Sequence, residues 1–292
     1  MTFSGVMTAL VTPFNPDGSL DEEGFRLLAA RQVAAGISGL VPCGTTGETP
    51  TLTPHEWERC VVIALEEADG EIPVIAGTGT NDTRSTVANS KRAADLGVQA
   101  VLVAAPPYNK PTQEGLYRHY RAVAEAVPDC GVVVYDVPGR SAVAVAAQTT
   151  ARLAELPNII AVKDATADLA KASELFRTLP ERVSLLSGDD FTFLPFLAAG
   201  GRGCVSVASN LFPSRMVALY DRWAAGDLAG AAAESAALQP LFRALFMQTN
   251  PIPVKTAMAH IGLCAETFRL PLCPMDPGPR RALIEVLDGL QS

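Results

Sequence analysis

The lysine with the strongest potential for chemistry follows an apolar run. Only five of the 23 basic residues are lysines, and one of them, Lys163, comes directly after Ile159–Val162. Burial disfavours a charged amine, so we expect the pKa of Lys163 to fall from its ordinary value of about 10.4. A neutral amine can attack a ketone and form a Schiff base. The alternative is a strand-end lysine that pairs with Asp164 or another carboxylate.

Three further segments could complete a site around this amine. Tyr135 lies in the preceding apolar run, where its phenol could move protons or could simply cover the core. The segment Gly44-Thr45-Thr46-Gly47 offers hydroxyls and closely spaced backbone N–H groups that suit a carboxylate. The alternative is that these four residues form only a tight turn. Arg140 follows Pro138-Gly139 on a predicted loop. Its guanidinium could bind a second carboxylate, or it could be an ordinary surface arginine.

Metal or cofactor chemistry has little support in the sequence. Asp189 and Asp190 are adjacent, but neighbouring carboxylates rarely converge on one ion, so we predict that they cap a helix over residues 191–199. His55, His119 and His260 lie in separate predicted helices. Neither a Walker A motif nor a Gly-x-Ser-x-Gly motif occurs. We therefore predict no metal and no cofactor.

Short apolar runs recur along the first two thirds of the chain and alternate with segments of helical period. Each run has the length of a strand that is buried on both faces. Eight such strands separated by helices predict a parallel α/β fold, and eight is the number that closes a (β/α)8 TIM barrel. The runs are Val6–Val11, Gly39–Cys43, Val74–Gly77, Ala100–Ala104, Val132–Val137, Ile159–Val162, Val183–Ser187 and Gly203–Val207.

The pattern changes near residue 210, after which only helices are predicted. We expect a catalytic barrel over residues 1–210 and a helical C-terminal region over residues 211–292. A doubly wound open sheet is the second interpretation. It has weaker support, because the segment Gly77–Asp82 begins like a dinucleotide-binding loop but lacks the third glycine and follows the third strand.

The composition of the chain argues against several classes of binding partner. The 292 residues carry a net charge of −8, with 48% hydrophobic and 18% charged residues, which excludes a disordered chain. An acidic chain without a basic block is a poor ligand for nucleic acid or anionic membranes. There is no apolar run long enough for a membrane span and no secretory signal at the N-terminus. Six cysteines without Cys-x-x-Cys spacing suit free thiols, so we expect a cytoplasmic protein.

Taken in order, these motifs resemble the dihydrodipicolinate synthase branch of the N-acetylneuraminate lyase superfamily, over nearly the whole chain. A set of ordered motifs of this size is specific for the superfamily. The segments that carry the resemblance are Gly5–Pro13, Gly44–Glu48, Tyr108–Gly115, Tyr135–Arg140, Val162–Thr166, Ser187–Asp190, Asn250–Lys255 and Arg269–Pro271.

The resemblance implies an aldolase-type lyase that needs no cofactor or metal. Lys163 would form an imine with pyruvate, and the derived enamine would attack the aldehyde of L-aspartate 4-semialdehyde. Transimination and cyclisation would then release 4-hydroxy-tetrahydrodipicolinate for lysine and diaminopimelate biosynthesis. The resemblance implies that Tyr135, Thr45 and Tyr108 form a proton relay, with Tyr108 coming from a neighbouring subunit. It implies that Thr46 binds the carboxylate of pyruvate and that Arg140 binds the carboxylate of the semialdehyde. Gly188 and Val205 would line the pocket.

The resemblance also implies an assembly and a regulatory property. The relay requires at least a dimer, and the family is usually a homotetramer, built as a dimer of dimers. Arg140 and the double threonine favour the synthase over neuraminate lyases, although Asp136 stands where the family often has asparagine. The region matching the family's lysine-inhibition site departs from its pattern, so we predict weak or absent inhibition by lysine. The residues there are Thr49, Pro50, Pro54, Trp57, Ser85 and Pro107, with only Asn81 retained.

Two other functions stay open at this stage. The first is a pyruvate-Schiff-base aldolase or dehydratase that acts on a 2-keto-3-deoxy sugar acid; it would share Lys163 and Tyr135 but would not need Arg140 in the same way. The second is a catalytically idle paralogue kept for regulation. The intact set of Lys163, Tyr135, Thr45 and Tyr108 argues against this second function.

Overall fold

The computed structural model describes residues 2–291, and its fold is the predicted (β/α)8 TIM barrel. Eight parallel strands follow the order β2-β1-β8-β7-β6-β5-β4-β3, with helices between consecutive strands, and a helical region follows at the C-terminus. The strands are β1 Gly5–Ala9, β2 Gly39–Val41, β3 Ile75–Gly77, β4 Ala100–Ala104, β5 Gly131–Asp136, β6 Ile159–Asp164, β7 Ser184–Ser187 and β8 Gly203–Ser206.

Twelve α-helices lie in the part of the chain that the structure describes. Short 3-10 helices at Thr45–Gly47, Thr49–Thr51 and Ala208–Asn210 add single turns. The α-helices are α1 Glu22–Ala34, α2 Pro54–Ala68, α3 Thr83–Leu96, α4 Gln113–Ala126, α5 Pro138–Ser141, α6 Ala147–Leu153, α7 Leu169–Thr178, α8 Phe193–Ala198, α9 Pro213–Ala224, α10 Leu228–Ala244, α11 Ile252–His260 and α12 Pro277–Gln291.

Capping side chains explain where several helices begin. At the start of α2, Thr53 accepts from the backbone of Glu56, and the Glu56 side chain accepts from the backbone of Thr53, which is a capping box. Asp82 before α3 and Thr112 before α4 each accept a backbone N–H of the first turn. These bonds satisfy donors that have no partner within the helix.

The chain divides into two compact units. One unit comprises Pro73–Val205 together with the residues before Val6, and the other comprises Val6–Ile72 together with the residues after Val205. The strand residues are almost all buried in both units, as apolar parallel strands require. The sequence-based division into residues 1–210 and 211–292 stays a prediction.

The structure corrects the predicted boundaries at three places. Strand β6 extends beyond the predicted run Ile159–Val162 to Asp164, so Lys163, predicted at the strand end, is followed by one more strand residue. Arg140 lies in the one-turn helix α5 and not on an open loop, because Pro138 fixes the backbone angle that opens the helix. The predicted cap before residue 191 is wrong: α8 begins at Phe193, and Asp189 instead accepts from the backbone N–H of Phe191 in the preceding loop.

None of the helices between residues 2 and 291 combines the length and the apolar character that crossing a bilayer demands.

Candidate active site

Lys163 and Tyr135 are neighbours on adjacent strands. Lys163 in β6 is the register partner of Tyr135 in β5, so the two side chains leave the sheet on the same face. Both are buried, with 6% and 7% of their surface exposed. The Lys163 Nζ atom lies 4.1 Å from the centroid of the Tyr135 ring. The structure therefore brings a buried amine against the face of a phenol.

This contact gives the amine a site where a positive charge is stabilised. The electron-rich face of an aromatic ring attracts a cation, so the Tyr135 ring stabilises the ammonium form of Lys163 or a protonated imine on it.

Gly188 makes room for the Lys163 side chain at the end of β7. A Cβ atom at Gly188 would lie 2.7 Å from the Cβ of Ala165 and 3.1 Å from the Cε of Lys163. The backbone N–H of Gly188 donates to the carbonyl of Asp164 at 2.7 Å, which holds the two strand ends together. Any side chain at this position would therefore force Ala165 to move and would crowd the Lys163 side chain. Val205 lies in β8 and is also buried.

Tyr108 and Arg140 lie at the surface of the same unit. The Tyr108 side chain is 87% exposed, and its backbone has a positive φ of 70°. Its loop is fixed at the next residue, where Asn109 donates to the carbonyl of Asn81 at 2.7 Å. Arg140, the third residue of α5, is exposed. An exposed tyrosine on an ordered loop is available to a second chain.

Thr45 and Thr46 lie in the other unit, in the 3-10 helix Thr45–Gly47. Thr46 is buried, and its Oγ1 accepts a hydrogen bond from the side-chain amide of Asn250 at 2.9 Å. The next turn of backbone is tied down as well, since the N–H of Glu48 donates to the carbonyl of Thr45. Asn250 had no role in the sequence-based site. Only its place in the motif Asn250–Lys255 could have indicated one.

A buried ion pair supports this threonine turn. Glu48 and Lys255 are both almost fully buried, and the Lys255 Nζ lies 2.6 Å from Glu48 Oε1. The Lys255 ammonium also lies 4.1 Å from the centroid of the Phe14 ring. Burial lowers the pKa of Lys255, while Glu48 opposes that change. Breaking a buried pair leaves an uncompensated charge, so the pair holds Glu48, with its positive φ of 53°, in place.

Of the predicted site residues, the structure therefore groups Lys163, Tyr135 and Gly188 by direct contact or close approach. It places Val205 in the strand that follows β7, and Tyr108 and Arg140 at the surface of this unit. Thr45 and Thr46 form a turn in the other unit. Their individual roles stay predictions.

The fold and this lysine define a class of protein: parallel α/β barrels with a buried lysine in the sixth strand, packed against a tyrosine of the fifth. Comparison with known proteins specifies the class further. A model of the dihydrodipicolinate synthetase family matches residues 2–289. The chain belongs to the dihydrodipicolinate synthetase family, which confirms the resemblance derived from the motifs.

Individual relatives agree over the full length. A protein of Thermodesulfovibrio yellowstonii named 4-hydroxy-tetrahydrodipicolinate synthase is 46% identical over 287 residues, which cover 98% of this chain and 97% of the relative. The crystal structure of dihydrodipicolinate synthase from Thermotoga maritima is 42% identical, with a TM-score of 0.97, and covers 100% of this chain and 99% of that one. A monomeric dihydrodipicolinate synthase variant is 43% identical, with a TM-score of 0.96, and covers 99% and 97%.

Proposed function

We propose that the protein condenses pyruvate with L-aspartate 4-semialdehyde to form 4-hydroxy-tetrahydrodipicolinate, a step in lysine and diaminopimelate biosynthesis. The observation that carries the proposal is the buried Lys163 against the Tyr135 ring, in a barrel of this family. The name that the curated relatives share supports the same reaction.

In the proposed mechanism, Lys163 Nζ attacks the keto carbon of pyruvate, and loss of water gives a protonated imine. The imine is an electron sink, so the methyl group of pyruvate loses a proton and the enamine forms. The enamine carbon attacks the aldehyde of the second substrate. The amino group of that substrate then displaces Lys163 and closes the ring. Tyr135, Thr45 and Tyr108 would move the protons of these steps.

Two carboxylates must be held during the condensation. Thr46 and the backbone N–H groups of its turn would bind the carboxylate of pyruvate, because hydroxyl and N–H donors suit an anion. The Arg140 guanidinium would bind the carboxylate of the semialdehyde through two parallel hydrogen bonds. Gly188 and Val205 would line the space between the substrates. No metal or other cofactor takes part in the proposal.

The assembly and location are part of the same proposal. A relay that needs Tyr108 from a second chain requires at least a dimer, and we propose the homotetramer that the resemblance implies. We also propose a cytoplasmic location and weak or absent inhibition by lysine. Initial rates at millimolar lysine would test the last point, and strong inhibition would contradict it.

The test of the proposed function is reductive trapping. Purified protein treated with pyruvate and borohydride should gain the mass of a reduced pyruvyl group on Lys163, and Lys163→Met should gain none and lose at least about a thousandfold in kcat. Lys91→Met, which alters an exposed lysine of α3, is the control. If wild-type protein forms no adduct on Lys163, the proposal is wrong.

Substrate assays separate the synthase from its nearest alternative. Pyruvate plus aspartate semialdehyde should give turnover, and a panel of 2-keto-3-deoxy sugar acids should give none. The reverse result would assign the alternative aldolase or dehydratase function. Adduct formation without turnover of either substrate set would contradict both.

A further inference from the structure

A second cluster of charged groups lies on the sheet face opposite to the reacting pair. Asp136 follows Tyr135 in β5, Asp164 follows Lys163 in β6, and the two aspartates are register partners. Successive side chains of a strand point to opposite faces, so Asp136 and Asp164 leave the sheet on the face away from Lys163 and Tyr135. Both carboxylates are buried. Two paired anions thus lie directly behind the residues proposed to react.

One ammonium group bridges both carboxylates. The Lys171 Nζ contacts Asp136 Oδ2 and lies 3.2 Å from Asp164 Oδ2, and the Lys171 side chain is itself only 15% exposed. Lys171 stands in the first turn of α7, where Asp168 caps the helix and accepts from the Lys171 backbone N–H at 3.0 Å. The start of α7 therefore fixes the backbone of Lys171, and its side-chain ammonium reaches from there to the ends of β5 and β6.

The second oxygen of each carboxylate is bound to the loop that follows its strand. Asp136 Oδ1 accepts from the backbone N–H of Val145 at 3.1 Å. Asp164 Oδ1 accepts from the backbone N–H of Thr166 at 2.8 Å and from its hydroxyl at 2.6 Å. Each aspartate therefore connects a strand end, a loop and helix α7 through Lys171.

The Lys171 ammonium is the positive charge that offsets the repulsion between the two carboxylates. Burial raises the pKa of Asp136; Lys171 opposes that rise, and the negative charge of Asp164 adds to it. Burial alone would lower the pKa of Lys171, but the two carboxylates raise it overall. Burial raises the pKa of Tyr120 in α4, whose hydroxyl donates to the carbonyl of Val103 at 3.1 Å, and the negative charge of Asp136 adds to that rise. Without Lys171, two buried carboxylates would repel each other across β5 and β6.

We propose that Lys171 is a positioning residue: its ammonium attracts both carboxylates of the Asp136–Asp164 pair, offsets their mutual repulsion and so keeps the ends of β5 and β6 in the register that places Lys163 against Tyr135. The proposal rests on the proposed function only in that Lys163 is the reacting amine. A misplacement of about 1 Å at a reacting group can reduce a rate by about a hundredfold. Lys171 touches no reacting atom in this account.

Three variants test the proposal through charge rather than through bulk. Lys171→Met keeps the length of the side chain and removes its charge. Lys171→Met/Asp136→Asn removes one charge of each sign and leaves Asp164, which Thr166 still binds twice. Asp136→Asn alone leaves a single Lys171–Asp164 pair. Lys91→Met again serves as the control, since this exposed lysine lies on α3.

The readout is the rate of pyruvate trapping on Lys163, normalised to folded protein by circular dichroism, from about pH 6 to about pH 9. Lys171→Met should trap more slowly than wild type by about 10-fold to 100-fold at high pH. The deficit should shrink as the pH falls, because a shared proton then neutralises one of the two carboxylates. The double variant and Asp136→Asn should stay within about threefold of wild type across this range.

Each outcome decides the matter. A Lys171→Met deficit that does not change with pH, or a double variant as slow as the single one, would overturn the inference. If Lys171→Met does not fold, a folded double variant with near-normal trapping supports the proposal, and a folded but slow one overturns it. A wild-type protein that traps no pyruvate would overturn the proposed function, and this inference with it. Normal wild-type trapping with an equally fast Lys171→Met removes the inference alone.

Discussion

The Thr46 hydroxyl already makes one hydrogen bond within the protein. Its oxygen accepts from the Asn250 amide at 2.9 Å, and an amide NH₂ group can only donate. The hydroxyl proton of Thr46 is therefore directed to a different acceptor. A carboxylate is such an acceptor, so at the scale of single residues Asn250 prepares Thr46 to donate to the proposed pyruvate carboxylate.

Asn250→Asp should therefore weaken pyruvate binding more than it slows the chemical step. An aspartate would accept the Thr46 proton instead of donating to its oxygen, and would add a charge of the same sign as the substrate. The KM for pyruvate should rise by about 10-fold to 100-fold, with a smaller change in the KM for the second substrate. Steady-state kinetics with each substrate varied in turn would measure both.

A double-mutant cycle isolates the hydrogen bond. Thr46→Val should raise the same KM, and Asn250→Asp should raise it less in the Thr46→Val background than in the wild type, because only the repulsion by the added charge then remains. Asn89→Asp adds the same charge at an exposed position of α3 and should change neither KM. Fully additive effects would mean that Asn250 does not act through Thr46.

At the scale of secondary structure, most of the fold could be predicted because its signals are local. All eight predicted apolar runs contain strands, and no strand end differs from the predicted one by more than two residues. The buried run Ile159–Val162 predicted β6. The last two residues of β6, Lys163 and Asp164, are charged, so the apolar pattern does not show that the strand extends to Asp164. The helix α5 was missed because one turn is too short to show a periodic pattern.

The site could be predicted only in part, because contacts between distant segments have no local signal. Lys163 and Tyr135 were found, since both interrupt buried strands. Lys171 gives no such signal, because nothing in its own helix shows that two buried aspartates from β5 and β6 meet it. The bond from Asn250 to Thr46 spans 204 positions and was equally invisible.

Helix α4 carries a buried histidine that should make stability depend on pH. Burial lowers the pKa of His119 from its usual 6.5 to about 4, with Asp82 opposing the change. The unfolded chain therefore binds a proton between these pH values that the folded chain does not, and stability is lost as the pH falls. Relative to His119→Phe, the free energy of unfolding should fall by about 3 kcal/mol between pH 7 and pH 4.

Urea denaturation of both proteins at several pH values would measure this difference. The comparison is needed because burial raises the pKa of Asp189 to about 6, so that this carboxyl opposes the histidine in the same pH range. Asp189 is present in both proteins and its contribution cancels. A difference between the two proteins that is independent of pH would show that His119 does not titrate as stated.

At the scale of the whole molecule, the exposed Tyr108 decides how many chains make one site. If Tyr108 serves a neighbouring subunit, mixing Lys163→Ala protein with Tyr108→Phe protein should restore activity that neither has alone. A mixed dimer would then contain one site with an intact lysine and an intact partner tyrosine. Random exchange within dimers should recover up to about a quarter of wild-type activity.

Subunit exchange can be followed by native mass spectrometry beside the activity assay. Mixing Lys163→Ala with Lys163→Met gives mixed dimers without any complete site, and should restore nothing. Exchange without recovered activity would place Tyr108 and Lys163 of one site on the same chain. A protein that is monomeric by light scattering yet fully active would contradict the need for a partner.

The alternation of side chains along β5 and β6 restricts how this protein can change during evolution. In each strand, a residue proposed to react is followed at once by an aspartate that anchors the opposite face. Deleting or inserting one residue in either strand would exchange the two faces, so that a carboxylate would replace the amine or the phenol. New specificities can therefore arise by substitution or by loops of altered length, whereas the lengths of these two strands must stay fixed.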